Sequence, residues 1–394
     1  MFSARLPWDL PPNRLSQALA RRNSAGAEVL DLAESNPTRA GFSYPAEEIL
    51  AALPDARSLL YEPAPAGLLS AREAVAAYYA ARGCAVAPDR ILLTASTSEA
   101  YACLFKLLAD PGDEVLVPRP SYPLFEFLAQ LESLRVAQYP LAYAEGWSLD
   151  AEALARAASA RTRAILVVNP NNPTGSFLKR RELERLTTLC AERNLALICD
   201  EVFADYALGP DPERVVPLAG FEGALTFCLS GLSKIAGLPQ LKLGWIVASG
   251  PQAVPAVERL ELIADTYLSV GTPVQHALPR LLEAAPILQR QITQRVQSNL
   301  DFLAAQVRRQ PAAELLEVEG GWYATLRVPQ TRSEEEWALE LLERDGVLIQ
   351  PGFFYDFEAE AFLVLSLLTP PAIFREGVAR LLARFPDDAP APTG

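Results

Sequence analysis

Lysine is nearly absent from this chain of 394 residues. Lys106, Lys179, Lys234 and Lys242 stand against 31 arginines, so any lysine placed next to polar loop chemistry marks a need for an amine that a guanidinium cannot meet. Histidine is scarcer still: His276 is the single one, which excludes mechanisms built on several imidazoles and leaves it as a residue at a helix start. The five cysteines (Cys84, Cys103, Cys190, Cys199, Cys228) are odd in number and widely spaced, with no Cys-x-x-Cys pair. Neither a metal site nor a disulfide framework is indicated. Basic charge is also short, 35 Lys+Arg against 48 Asp+Glu for a net charge of −13, and it forms no stripe. That composition excludes nucleic acid and anionic membrane as partners. Long apolar runs are missing too: no window reaches the roughly 18 residues of a spanning helix, and residues 1–14 lack the apolar stretch of a signal peptide. A reducing cytoplasm is the expected compartment.

What is present is a chain that is 50% hydrophobic, enough to bury a large core and to suggest two domains. Between residues 66 and 250, short β-branched runs alternate with amphipathic stretches, which predicts an α/β architecture: a mostly parallel sheet with helices on both faces. Strands are predicted at 90–94, 114–118, 164–168, 196–199, 225–229 and 244–248, and helices at 98–109, 122–131 and 179–193. Residues 281–310 carry apolar positions at helical spacing and predict a long connecting helix. A smaller α+β unit follows, with helices at 333–344 and 372–384, and the tail Pro386–Gly394 has the composition of a disordered segment.

Four polar clusters each follow a predicted strand, and in open α/β sheets the ligand crevice lies outside the carboxyl ends of the strands. Ala95-Ser96-Thr97-Ser98-Glu99 opens a helix, where free N–H groups and hydroxyls suit a phosphate or merely cap the helix. Asn169-Pro170-Asn171-Asn172-Pro173-Thr174-Gly175 is a turn-forming string, either a rigid loop or a loop that offers the Asn172 amide. Asp200-Glu201 puts a carboxylate at a strand end, to cap a helix or to hold a heterocyclic nitrogen protonated. Gly231-Leu232-Ser233-Lys234 places a lysine after a buried strand, where desolvation frees the amine as a nucleophile able to form a Schiff base. Lys106 and Lys179 fall on helices and are expected in solvent.

Taken together, these clusters, with Lys242 eight residues after Lys234, resemble the class I/II aminotransferases of fold type I, which are similar to aspartate aminotransferase and use pyridoxal 5′-phosphate (PLP). The resemblance implies a large PLP-binding domain at 44–280, and a small domain from 1–43 and 281–394 with a tail disordered from about 386. It implies that Lys234 holds the cofactor as an aldimine and then acts as general acid and base, and that Asp200 pairs with the ring nitrogen. Asn172 would bond the ring hydroxyl and Tyr122 lie on the ring face. Ser96, Thr97, Ser98 and Lys242 would hold the phosphate, with Tyr61 reaching the phosphate of a neighbouring subunit, hence a homodimer with shared active sites. The implied reaction moves an amino group from an α-amino acid to a 2-oxo acid by a ping-pong route. A C–S lyase, decarboxylase or ACC-synthase-like enzyme shares nearly all of these motifs, and a ligand-sensing regulator is a third class, disfavoured by the acidic chain and by the lack of a helix-turn-helix ahead of Leu30.

Several positions depart from the family pattern. Phe203 replaces a usual tyrosine, Lys242 a usual arginine, and Gly231 occupies the usual place of the phosphate serine, with Ser230 one residue earlier. In Phe362-Leu363-Val364-Leu365-Ser366, Val364 stands where an arginine normally grips the substrate carboxylate. Arg39 is the expected substitute, and Tyr355 is expected near the pocket.

Overall fold

Strands Ala196–Asp200, Thr226–Gly231 and Gly244–Ser249 are buried at every residue, which fits a sheet covered by helices on both faces. The computed structural model describes residues 1–385. The expected disordered tail lies outside them. The main sheet has eight strands. Along it run Ile91–Thr94, Gly244–Ser249, Thr226–Gly231, Ala196–Asp200, Thr162–Val168, Glu114–Arg119, Arg135–Tyr143 and Trp147–Leu149. The five from Thr226–Gly231 to Arg135–Tyr143 are parallel, and antiparallel pairings flank them. The six predicted strands are all present. Arg135–Tyr143 escaped the sequence reading because it is only partly buried and interleaves polar residues with apolar ones.

Helices begin and end where the side chains permit. Helix Arg180–Arg193 starts with the Glu182 carboxylate accepting the Lys179 N–H at 2.7 Å and ends at Asn194 in the left-handed region, φ 54°. The predicted connecting helix starts earlier than expected, running Thr272–Val307 with Pro279 and Pro286 inside it. An interior proline costs about 3 kcal/mol. Here an apolar stripe through Leu278, Leu281, Leu288, Ile292, Val296 and Leu303 is buried along the helix, and that packing offsets the cost. The helix predicted at 333–344 is α-helical only over Glu334–Glu340 and then widens into a π turn over Leu341–Asp345.

A four-stranded antiparallel sheet (Glu314–Leu315, Tyr323–Arg327, Phe362–Ser366, Gln350–Pro351) and helix Pro371–Leu382 form the C-terminal unit. The N-terminal strand Leu30–Asp31 pairs in parallel with Val347–Leu348, so the first residues of the chain join this unit. Among the described residues no helix is long and apolar enough to cross a membrane. All five cysteines are free thiols.

Candidate active site

Asp200 and Lys234 come from neighbouring parallel strands. Asp200 is in register with Leu229, five residues before Lys234, and the strand carrying Leu229 ends at Gly231, where the short helix Leu232–Ile235 begins. Lys234 is therefore delivered beside the carboxyl end of the strand that ends in Asp200. Its ammonium lies 4.9 Å from the Trp322 ring and 5.4 Å from the Phe203 ring. Burial lowers the Lys234 pKa to about 8, against the opposing pull of Asp200. A large fraction of this amine is thus neutral near pH 8, as a nucleophile or a proton acceptor must be.

The Asp200 carboxylate is 8% exposed. It accepts the Tyr101 hydroxyl at 2.8 Å and the Val202 N–H at 3.1 Å. Burial nevertheless raises its pKa, with these bonds and Lys234 acting the other way. Its charge is under-compensated, and a protonated heterocyclic nitrogen would supply a counter-charge. Asn172 is 7% exposed and its Oδ1 has no partner among the described residues. A buried carbonyl oxygen without a donor suits a ligand hydroxyl.

At the start of helix Thr97–Leu108, Ser96 caps by accepting the Glu99 N–H at 3.2 Å, while Glu99 accepts the Ala95 N–H and the Ser269 hydroxyl, each at 2.6 Å. The capping reading of this segment is therefore correct for Ser96, and the half-buried hydroxyls of Thr97 and Ser98 remain on the same turn. Gly244 allows the close approach of this turn: an added Cβ would lie 3.2 Å from Thr97 N and 3.1 Å from the Ser230 carbonyl. Ser230 Oγ is buried without a partner among the described residues. Lys242, in the left-handed region at φ 49°, is exposed and forms no ion pair among the described residues. The helix-start amides, the hydroxyls and this cation have the chemistry of a phosphate cradle.

Tyr122 is 45% exposed, close enough to Asp200 for that charge to add to the upward shift that burial gives its hydroxyl. Tyr61 is 80% exposed and lines a cavity of about 250 Å³ together with Gly67, Leu93 and Ser269. Arg39 lies in the turn after Asn36, with its backbone N–H bonded to the Asn36 carbonyl at 3.0 Å and its side chain exposed and unpaired among the described residues.

Three residues here lie outside the clusters that the sequence singles out. Tyr101 could have been found, since it lies one helical turn after Thr97 on the same face. Trp322 and Tyr323 arrive from the four-stranded sheet, and only their place after Gly320-Gly321 hinted at them. Lys179 corrects an expectation: it is not in solvent but bridges Asp211 at 2.5 Å and Glu319 at 2.6 Å. On the opposite face of the main sheet, the Cys199 and Cys228 thiols and the Glu201 carboxylate lie within 4.8 Å of one another, all buried.

Comparison with known proteins decides the family. Residues 27–381 match the family described as aminotransferase class I and II. This chain belongs to that family. The glutamate-pyruvate aminotransferase of Escherichia coli K12 is 29% identical over 351 residues, covering 86% of this chain and 85% of that protein. An alanine aminotransferase of Mycobacterium tuberculosis is 28% identical over 370 residues, covering 89% and 84%. Among solved structures, an alanine aminotransferase from Pyrococcus furiosus superposes with a TM-score of 0.87 at 23% identity over 97% of this chain and 99% of that one. An aminotransferase from Escherichia coli gives 0.83 at 25% identity, covering 98% of each chain. The fold is thus the fold type I α/β architecture, and the protein is a PLP-dependent aminotransferase.

Proposed function

We propose that this aminotransferase transfers the amino group of an α-amino acid to a 2-oxo acid, with Lys234, Asp200 and Asn172 as its central residues. The observation that carries this reading is the pairing of a desolvated amine, Lys234, with a buried carboxylate, Asp200, the one just past the end of a strand and the other at the end of its neighbour. The names of the alanine and glutamate-pyruvate relatives support an α-amino acid donor.

Bound PLP supplies an aldehyde for the substrate amine and a ring that takes up electrons. Asp200 would hold the ring nitrogen protonated, with Tyr101 orienting Asp200. Asn172 would bond the ring hydroxyl, Tyr122 would pack against the ring, and Ser96, Thr97, Ser98 and Lys242 would hold the phosphate. The Lys234 amine would accept the proton from the amine-bearing carbon of the donor as general base and give it back as general acid. Phe203 and Trp322 form an apolar wall that keeps this amine poorly solvated. Arg39 receives the donor carboxylate.

The same reading gives a homodimer in the cytoplasm, with a large domain at 44–280 and a small one from 1–43 and 281–394. Its support is an exposed apolar set, Leu59 at 89%, Leu60 at 61%, Tyr61 at 80%, Leu262 at 73% and Tyr267 at 56%, that water alone would cover poorly. The buried free thiols accord with a reducing compartment.

The decisive experiment mixes the PLP-loaded enzyme with single amino acids and follows the cofactor absorbance. Conversion of the aldehyde form to the amine form, reversed by an oxo acid, is expected, and Lys234→Ala abolishes it. Consumption of donor with release of carbon dioxide, sulfide or pyruvate and no amine form would refute transamination.

A further inference from the structure

The face of the main sheet opposite to the Asp200 carboxylate carries a cluster that amino transfer does not use. Cys199 and Cys228 are register partners on neighbouring parallel strands, so their side chains leave the sheet on the same side. Glu201 comes two residues after Cys199, and its N–H still bonds the Leu229 carbonyl at 2.9 Å, which extends the pairing. Strand alternation therefore sends Glu201 to the side of the two thiols and Asp200, between them, to the other. Both cysteines are fully buried and Glu201 is 2% exposed.

The two oxygens of this carboxylate are unequally served. Oε1 accepts the Leu218 N–H at 2.9 Å, the Asn169 side-chain amide at 3.5 Å and the Cys199 thiol at 3.8 Å. Oε2 is buried without a partner among the described residues. A buried carboxylate oxygen that lacks a donor is costly, and a cation coordinated among its neighbours removes that cost.

The donor set selects the cation. Magnesium and calcium take oxygen alone and copper(I) takes sulfur, whereas zinc accepts thiolate and carboxylate together. An ion centred among donor atoms no more than 4.8 Å apart lies within about 2.8 Å of each, so zinc–sulfur and zinc–oxygen bonds of about 2.3 and 2.0 Å need shifts of less than about an ångström. A route inward is marked by Cys84, which is half-buried. Its Sγ lies 3.1 Å from where a Cβ on Gly220 would stand, and Gly220 is exposed, two residues past the Leu218 that bonds Glu201. No Cys-x-x-Cys spacing announces the set, because it is strand pairing that assembles it.

We propose that Cys199, Cys228 and Glu201 form a structural Zn(II) site, entered past Cys84, which clamps two central strands of the sheet and takes no part in amino transfer. Binding is an exchange: each thiol gives its proton to solvent and a sulfur lone pair to zinc, with no change of oxidation state.

The test uses the full PLP-loaded enzyme, freed of metal by a chelator and titrated with Zn(II). One zinc per chain held at micromolar concentration is expected, with two sulfur neighbours by X-ray absorption, and Cd(II) in its place should give a thiolate-to-metal ultraviolet band. Cys228→Ala should weaken zinc binding by about a hundredfold or more, at least what loss of an outer partner of a metal site costs. Glu201→Gln keeps an acceptor for the Leu218 N–H while removing the charge, and should weaken it likewise. Neither variant should alter the absorbance of the bound cofactor. Where a variant fails to fold, the count of sulfur neighbours in the wild type decides alone. No zinc retained, zinc with oxygen and nitrogen neighbours only, or affinity untouched in both variants would overturn the proposal and leave transamination standing.

Discussion

The Tyr101 hydroxyl donates to Asp200 Oδ2 at 2.8 Å in a space closed to solvent, joining the helix that begins at the Ser96 turn to the strand that presents the carboxylate. A phenol in this position steadies the ionised carboxylate without competing for its charge. Asp200→Ala should lower kcat by about a hundredfold or more, since it removes the charge that holds the ring nitrogen protonated. Tyr101→Phe should cost about tenfold, the value of one hydrogen bond to a charged group. Steady-state kinetics on both variants check the order; equal losses would show that Tyr101 does more than orient.

Capture of the cofactor by the apo-enzyme should follow the titration of Lys234. Its pKa is lowered to about 8, so the reactive neutral amine grows as pH rises through 8 and falls away below it. Stopped-flow measurement of PLP binding between pH 6.5 and 9.5 should show a midpoint near 8. A rate still climbing steeply at pH 9.5 would place the amine in a far more solvated setting.

Arg39 carries a guanidinium with no partner among the described residues, on the turn that follows Asn36. If it receives the donor carboxylate, Arg39→Ala should raise KM for an amino acid by about tenfold or more and leave the corresponding carboxylate-free amine unaffected. Comparing ornithine with putrescine isolates that difference, and an unchanged KM for ornithine would remove Arg39 from the site.

A second copy of the chain should cover Leu59, Leu60 and Tyr61. Leu59→Asp places a charge in that apolar set and should shift the sedimentation profile from dimer toward monomer, with loss of bound PLP if Tyr61 serves the neighbouring site. A wild-type monomer in sedimentation would refute the shared-site arrangement.

Much of this site could be read in advance because its residues lie in short local strings. Lys234, Asn172 and the Ser96 turn each follow, and Asp200 ends, a buried strand that announces itself by its apolar run. Trp322 and Tyr323 belong to no such string: tertiary packing brings them in from the C-terminal sheet. Lys179 looked solvated because its helix position is visible in sequence, whereas Asp211 and Glu319 are far along the chain. Strand Arg135–Tyr143 was missed for the opposite reason: a strand only partly buried need not repeat the apolar pattern of its neighbours.

Because Asp200 ends one strand and Lys234 lies on the short helix that directly follows its neighbour, the separation of acid and amine is set by the sheet and by that strand-to-helix turn. The segments proposed to meet the donor, the turn that carries Arg39 and the face around Val364, belong to other elements. Substitutions there can redirect which amine is accepted while the chemical pair keeps its spacing, so the scaffold separates what is inherited from what is free to diversify.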